Sequence, residues 1–400
     1  MMAAGYLYNV TFIQLGLVDL GTSHIGLDRA GVACYMAILA VLTCITALAA
    51  GWGMYRLPRF RTLRFKLRGA FAAILLQTAL TAVAPGLRSN GGLLAWVVLA
   101  SLALGLAVPL TFGMTVDLVP VRWRGYVAGA ITALAYFAAA VLVTSWEIEA
   151  LSRQMLLVML PGAIALGALA FGPLPFVTRW ENNHRLPEFG RGRYVPAATA
   201  SSNFRLAGIV VLMFAIFFID SLGFLRLTDT PHLLAAGWAS PEIGPRLAIG
   251  VTHVVTGLIG GVIYTQMGAR HLFYWIFAFF ALVQLIYVFQ AWLTPLSGGT
   301  AGQPVLYATA VSLYTVLTFA LWADLSTPRT IGRNTAVGVA LSGWLATFLS
   351  TALALVWAAG QMPLEEHFRL VNALALVGLL VLLVAAVRPS RAVSSAEELK

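Results

Sequence analysis

Twelve apolar runs, each close to the length that crosses a lipid bilayer, constrain this chain more than any other feature of its sequence. A hydrocarbon core about 30 Å thick is spanned by about 20 apolar residues in a helix. The runs fall at 7–23, 31–54, 69–87, 93–116, 125–146, 154–177, 206–226, 247–266, 271–293, 303–323, 334–358 and 368–387. The first is the most polar, holding Asn9, Thr11, Gln14 and Asp19. It does not read as a cleavable signal, since no basic residue precedes it and no small-residue cleavage pattern follows. The run interiors lack the ten-residue alternation of a membrane β-barrel, which leaves helices as the way to satisfy the backbone in hydrocarbon. The expectation is an all-α integral membrane protein with twelve transmembrane helices. Composition points the same way: 60% of the 400 residues are apolar and 10% charged, against roughly 25% charged in soluble domains. So much apolar surface excludes a disordered chain. The two cysteines, Cys34 and Cys44, share one apolar run and exclude a disulfide scaffold.

The formal charge of +10 does not require a nucleic-acid partner, because the basic residues follow the helix count. With the N-terminus placed in the cytoplasm, 19 of the 25 Lys and Arg fall in cytoplasmic segments, alternating loop by loop. They include Arg56, Arg59, Arg61, Arg122, Arg124, Arg329 and Arg333. This is the asymmetry of the positive-inside rule, and it favours an even number of helices with both termini cytoplasmic. The excess of 23 Arg over 2 Lys fits a GC-rich bacterial genome, so a bacterial plasma membrane is the expected location.

The sequence is also written twice. Residues 178–205 are rich in Arg, Pro, Gly, Asn and Ser and read as a cytoplasmic linker between two sets of six helices, 1–177 and 206–387, with a cytoplasmic tail at 388–400. Asp117-Leu118, Arg122 and Gly125 return as Asp324-Leu325, Arg329 and Gly332, at a constant offset of 207. Asp19-Leu20-Gly21 in the first helix is echoed by Asp220-Ser221-Leu222-Gly223 in the seventh. Gly51-Trp52-Gly53-Met54-Tyr55-Arg56-Leu57-Pro58-Arg59-Phe60-Arg61 after the second helix is echoed by Gly261 to Arg270 after the eighth. Two pseudo-symmetric six-helix halves of the same topology follow from these repeats.

On these motifs the chain resembles the major facilitator superfamily. That family carries a Gly-x-x-x-Asp-Arg-x-Gly-Arg-type loop after its second helix, a weaker copy after the eighth, and an acid, Pro and Arg-x-x-Gly stretch after the fourth. The chain departs from the pattern where the loop acid falls on Tyr55 and Thr265 and the second glycine on Pro58. Asp324-Leu325-Ser326-Thr327-Pro328, with Gly338 and Gly343-Trp344, is similar to the family's branch associated with bacteriochlorophyll and light-harvesting assembly.

Enzyme motifs are absent: there is no His-Glu-x-x-His, Walker loop, Gly-x-Ser-x-Gly or Cys-x-x-Cys, and the six histidines lack a metal-ligand spacing. No catalysis, metal or cofactor is therefore expected. The ionisable residues inside the runs carry the functional expectation, since a charged group at membrane depth usually faces a cavity or a partner. Asp19 and Asp220 read as proton- or substrate-binding carboxylates, with structural hydrogen bonding near the outer interface as the alternative. His253, among Thr252, Thr256 and Gly257, reads as a relay or ligand group or else as a neutral helix-packing residue. Gln14, Tyr136 and Trp344 read as cavity-lining groups or, each taken alone, as packing or interhelical hydrogen-bonding residues. Asp117 and Asp324 end the fourth and tenth helices, where the dipole disfavours an anion. They are expected to find Arg122, Arg124, Arg329, Arg333 or the Arg56, Arg59 and Arg61 loop, forming a cytoplasmic gate or else ordinary interfacial ion pairs that fix the helix ends.

The function these features predict is secondary active transport of a small solute by alternating access, coupled to a proton or solute gradient, by a monomer in the bilayer. Asp19→Asn is expected to abolish gradient-driven accumulation, and Asp220→Asn to do so less completely. The alternative is a non-transporting assembly or pigment-delivery protein on the same scaffold, suggested by the missing loop acid.

Overall fold

The computed structural model describes residues 2–143, 145–195, 202–228, 240, 242–293 and 302–387; the tail expected at 388–400 lies outside them. Among the described residues, twelve long helices run in chain order. In the first half they are α1 (Met2–His24), α2 (Arg29–Arg56), α3 (Leu63–Val83), α4 (Asn90–Leu118), α5 (Arg124–Leu142) and α6 (Ile148–Phe171). The second half has α7 (Ser202–Thr228), α8 (Ile243–Met267), α9 (Ala269–Leu293), α10 (Gly302–Asp324), α11 (Ile331–Ala359) and α12 (Leu364–Val387). Eleven are long and apolar enough to cross a membrane; α1 is the exception. Its polar residues are the reason. Asn9, Thr11 and Gln14 lie around a π-helical stretch at Tyr8–Ile13 and are all buried against the other helices. Further π-helical stretches end α1 at Leu20–His24 and interrupt α11 at Ala336–Leu345.

Local chemistry sets several helix ends. The side chains of Asp28, Thr62 and Ser89 accept backbone N–H groups three residues on, at the starts of α2, α3 and α4, satisfying donors that have no partner within the helix. The sixth helix ends at Phe171, six residues before the apolar run does, because Gly172-Pro173-Leu174-Pro175 cannot continue it. It recovers that length at its start, where Glu147 precedes Ile148.

The two halves meet along two seams of small residues. On α5 and α8, Gly129 lies against Gly257 so closely that a Cβ on Gly129 would stand 2.6 Å from the Gly257 carbonyl oxygen. Gly125 and Gly261 repeat the contact one turn nearer the linker. On α2 and α11, a Cβ on Gly51 would stand 2.5 Å from the carbonyl oxygen of Gly332. Backbones that approach this closely gain van der Waals contact, the main source of helix association in hydrocarbon. Every residue of α10 from Ala310 to Asp324 is buried, so α10 is a central helix of the second half. Leu157, Leu160 and Ile164 of α6 point outward as a lipid face.

Candidate functional site

Both repeated aspartates at the helix ends are fully buried, and each is held by more than one partner. Asp117, at the end of α4, accepts from Lys66 Nζ of α3 at 2.6 Å and lies 3.1 Å from His184 Nδ1 in the linker. Asp324, at the end of α10, accepts from Arg124 Nη1 of α5 at 2.9 Å and from the Tyr264 hydroxyl of α8 at 2.9 Å. Arg193 Nε of the linker lies 3.8 Å from the same carboxylate. Arg124 also donates to the carbonyls of Ala323 and Phe189, at 2.9 and 2.5 Å. It thereby ties the first half, the second half and the linker together. The linker continues the seal, with Gly192 and Tyr194 donating backbone N–H groups to the carbonyls of Ser326 and Asp324.

Arg124 is thus the one expected gate arginine that pairs with a repeated aspartate. Arg122 lies over the Trp123 ring, Arg56 over Trp52 and Arg59 over Phe60. Arg61 donates to the carbonyls of Met54 and Tyr55. Arg329 and Arg333 stand over the Tyr55 ring at 5.0 and 5.2 Å. Tyr55, where the motif resemblance leads one to expect an acid, therefore meets arginines from the other half through its ring face. Lys66, His184, Arg193 and Tyr264 were not among the expected partners. Lys66 stood in the basic loop count, and nothing in the spacing marks it as buried.

Away from the linker end lies a second polar group. Asp220 of α7 accepts from two tyrosine hydroxyls of α10, Tyr307 on Oδ1 and Tyr314 on Oδ2, each at 2.6 Å. Seven residues are close to two full turns, so both tyrosines project from one face of α10 onto one carboxylate. Among the described residues no Lys or Arg forms an ion pair with Asp220. Asp220 lines a cavity of about 90 Å³ together with Gln14, Tyr136, His253, Tyr307 and Tyr314. His253 Nδ1 is 2.8 Å from the Ser312 hydroxyl, and its ring stacks on Tyr136 at 4.3 Å. His253 is 1% exposed, and its Nε2 has no hydrogen-bond partner among the described residues. Gln14 Nε2 donates to Thr351 of α11 across the two halves at 3.1 Å.

Four of the expected binding residues, Asp220, His253, Gln14 and Tyr136, therefore meet at one cavity. Trp344 lines a different one, about 330 Å³, nearer the linker end and shared with Tyr6, Gln77, Phe112 and Phe319. Asp19 lies at neither. Its Oδ2 accepts the Ile148 backbone N–H at 2.7 Å and its Oδ1 the Ser23 hydroxyl at 2.7 Å, which ties α1 to the start of α6. Tyr307 was missed by the sequence reading; its seven-residue spacing from Tyr314 is the signal that would have found it.

No family model and no curated protein matches the chain. Solved structures do. The human organic anion transporter MFSD10 (TETRAN) superposes with a TM-score of 0.64 at 14% identity, over 95% of this chain and 96% of that one. The proton:xylose symporter XylE, bound to 6-bromo-6-deoxy-D-glucose, gives 0.58 at 14% identity over 96% and 94%. A bacterial homologue of the iron transporter ferroportin, in an outward-facing state with soaked iron, gives 0.59 at 14% identity over 97% of each chain. With twelve helices in two halves, joined by a linker that seals one end, the chain has the fold of the major facilitator superfamily.

Proposed function

We propose that the chain is a secondary active transporter of a small solute, working by alternating access with the Asp220 cavity as its binding and coupling site. The observation that carries this reading is one of polarity and position. The linker end is shut by a buried ion pair between the halves, Arg124 to Asp324, while an acidic cavity lies farther along the bundle. A buried charge pair bistable enough to break supplies one gate, and a carboxylate without a cation is a group that a proton or a positively charged solute can neutralise. The ligands named for the neighbouring structures, an organic anion, xylose with a bromodeoxyglucose, and iron, do not carry over at 14% identity. The halves 1–177 and 206–387 would rock about the two glycine seams. The linker end would face the cytoplasm of a bacterial plasma membrane, and the protein would work as a monomer.

Reconstitution into liposomes with a panel of solutes, with and without an imposed pH gradient, tests this reading. The wild type should accumulate at least one solute when the gradient is present, and Asp220→Asn should not. The order of severity expected from sequence alone is inverted: Asp19→Asn should retain accumulation, because its carboxylate holds a helix start rather than the cavity. A wild type that moves no solute under either condition contradicts transport. A pigment or protein copurifying in stoichiometric amount would then favour the assembly role.

A further inference from the structure

We propose that the Asp220 cavity takes an organic monocation, a primary ammonium carried on a small aromatic or apolar body; this rests on the transport reading and names the substrate class of that same site. Among the described residues the cavity lining contains one carboxylate and neither lysine nor arginine. An anionic solute would stand beside Asp220 with nothing of opposite charge to offset the repulsion. A sugar needs a hydrogen-bonding partner for most of its hydroxyls, and much of this lining is apolar: Val10, Leu15, Ala139, Val143, Phe224 and Val311. A hard metal ion asks for about six oxygen ligands, and a transition metal for three or four nitrogen, sulfur or oxygen ligands. Among the described lining residues Asp220 and His253 are the one carboxylate and the one imidazole, short of either set.

An ammonium meets the groups that are present. It brings three N–H donors and no acceptor. Each carboxylate oxygen of Asp220 has one tyrosine donor and keeps a further lone pair for the ligand. His253 Nε2, buried and unpartnered among the described residues, accepts a second N–H in the tautomer whose Nδ1–H donates to Ser312. Tyr136, Trp146, Tyr307 and Tyr314 supply aromatic surface for the apolar body and ring faces for the charge. The two tyrosine donors also keep the carboxylate fixed, so that a cation finds it oriented.

Three probes of nearly one shape separate the classes: benzylammonium, benzyl alcohol and benzoate, titrated by calorimetry into the purified full-length protein in detergent. Benzylammonium should bind at least tenfold more tightly than either of the others. Asp220→Asn should erase that preference, and Glu366→Gln, which removes an exposed carboxylate outside the cavity, should leave it intact. Tyr307→Phe keeps the carboxylate and its charge but releases one of the two donors that fix it, so benzylammonium should bind less tightly while the ranking of the three probes persists. If Asp220→Asn does not fold, the wild-type ranking and Tyr307→Phe still decide. Equal binding of the three probes, a preference for benzoate, or no binding of benzylammonium overturns the assignment. Ammonium binding without flux in proteoliposomes would instead overturn transport and leave the cation site standing.

Discussion

The Tyr136 hydroxyl donates to the Tyr6 hydroxyl at 3.1 Å, and both lie within hydrogen-bonding distance of Thr315 Oγ1, at 3.4 and 3.3 Å. Tyr136 lines the Asp220 cavity and Tyr6 the larger cavity nearer the linker, so this trio forms a partition between them. Tyr136→Phe removes one hydroxyl and leaves the Tyr6–Thr315 contact; it should cost about 0.5–1.5 kcal/mol in a thermal or denaturant melt. Tyr6→Ala joins the two spaces. Efflux from preloaded proteoliposomes should then speed up with no gradient applied, while net accumulation falls. Unchanged efflux in Tyr6→Ala would show that the partition lies elsewhere.

The Arg124–Asp324 pair should behave as a latch rather than as a surface salt bridge, because both side chains are fully buried. Removing one partner of a buried pair leaves the other charge uncompensated, typically at about 3–5 kcal/mol. In Asp324→Ala that cost falls on the closed linker end, so the population should shift toward an open one. A cysteine at Thr111, which lines the linker-side cavity, reports this in a background without Cys34 and Cys44. A water-soluble maleimide should modify it at least tenfold faster in Asp324→Ala than with the pair intact. Equal rates would reduce the pair to a structural tie.

In the last turn of α2 the Tyr55 ring, not its hydroxyl, faces the arginines of the other half. Tyr55→Phe should therefore melt within about 0.5 kcal/mol of the wild type, and Tyr55→Ala should lose about 0.5–1 kcal/mol per arginine contact released. Tyr55→Asp puts a carboxylate where the ring now meets the two arginines. It should strengthen closure and slow the Thr111→Cys labelling reaction, whereas faster labelling would mean that the ring cannot be exchanged for a carboxylate.

The helix count was legible because the bilayer sets a length, and the repeat was legible because both halves keep Asp, Leu, Arg and Gly at one offset. Helix ends were less so: a run of apolar letters does not say where Gly172-Pro173 stops a helix. At the site, sequence could name Asp220, His253, Gln14 and Tyr136 as unusual for their depth, but not that they converge, which depends on how α1, α5, α7, α8 and α10 pack. The symmetry of the repeat also misled where it suggested matching local partners. Asp117 is held by Lys66 of its own half and Asp324 by Arg124 of the other, and the residue equivalent to Arg124 in the second half is Ile331. Asp19 and Asp220 look equivalent in the chain, yet one caps a helix and the other lines a cavity.

Alternating exposure of the Asp220 cavity is tested most directly at Ser221, the next residue of α7, which is buried and lines the same space. With Cys34 and Cys44 replaced, Ser221→Cys in sealed vesicles of known orientation can be exposed to a membrane-impermeant thiol reagent from one side at a time. The account predicts labelling from both sides: mainly from the side opposite the linker with the Arg124–Asp324 pair intact, and mainly from the linker side in Asp324→Ala. Labelling confined to one side whatever the state of that pair would contradict it.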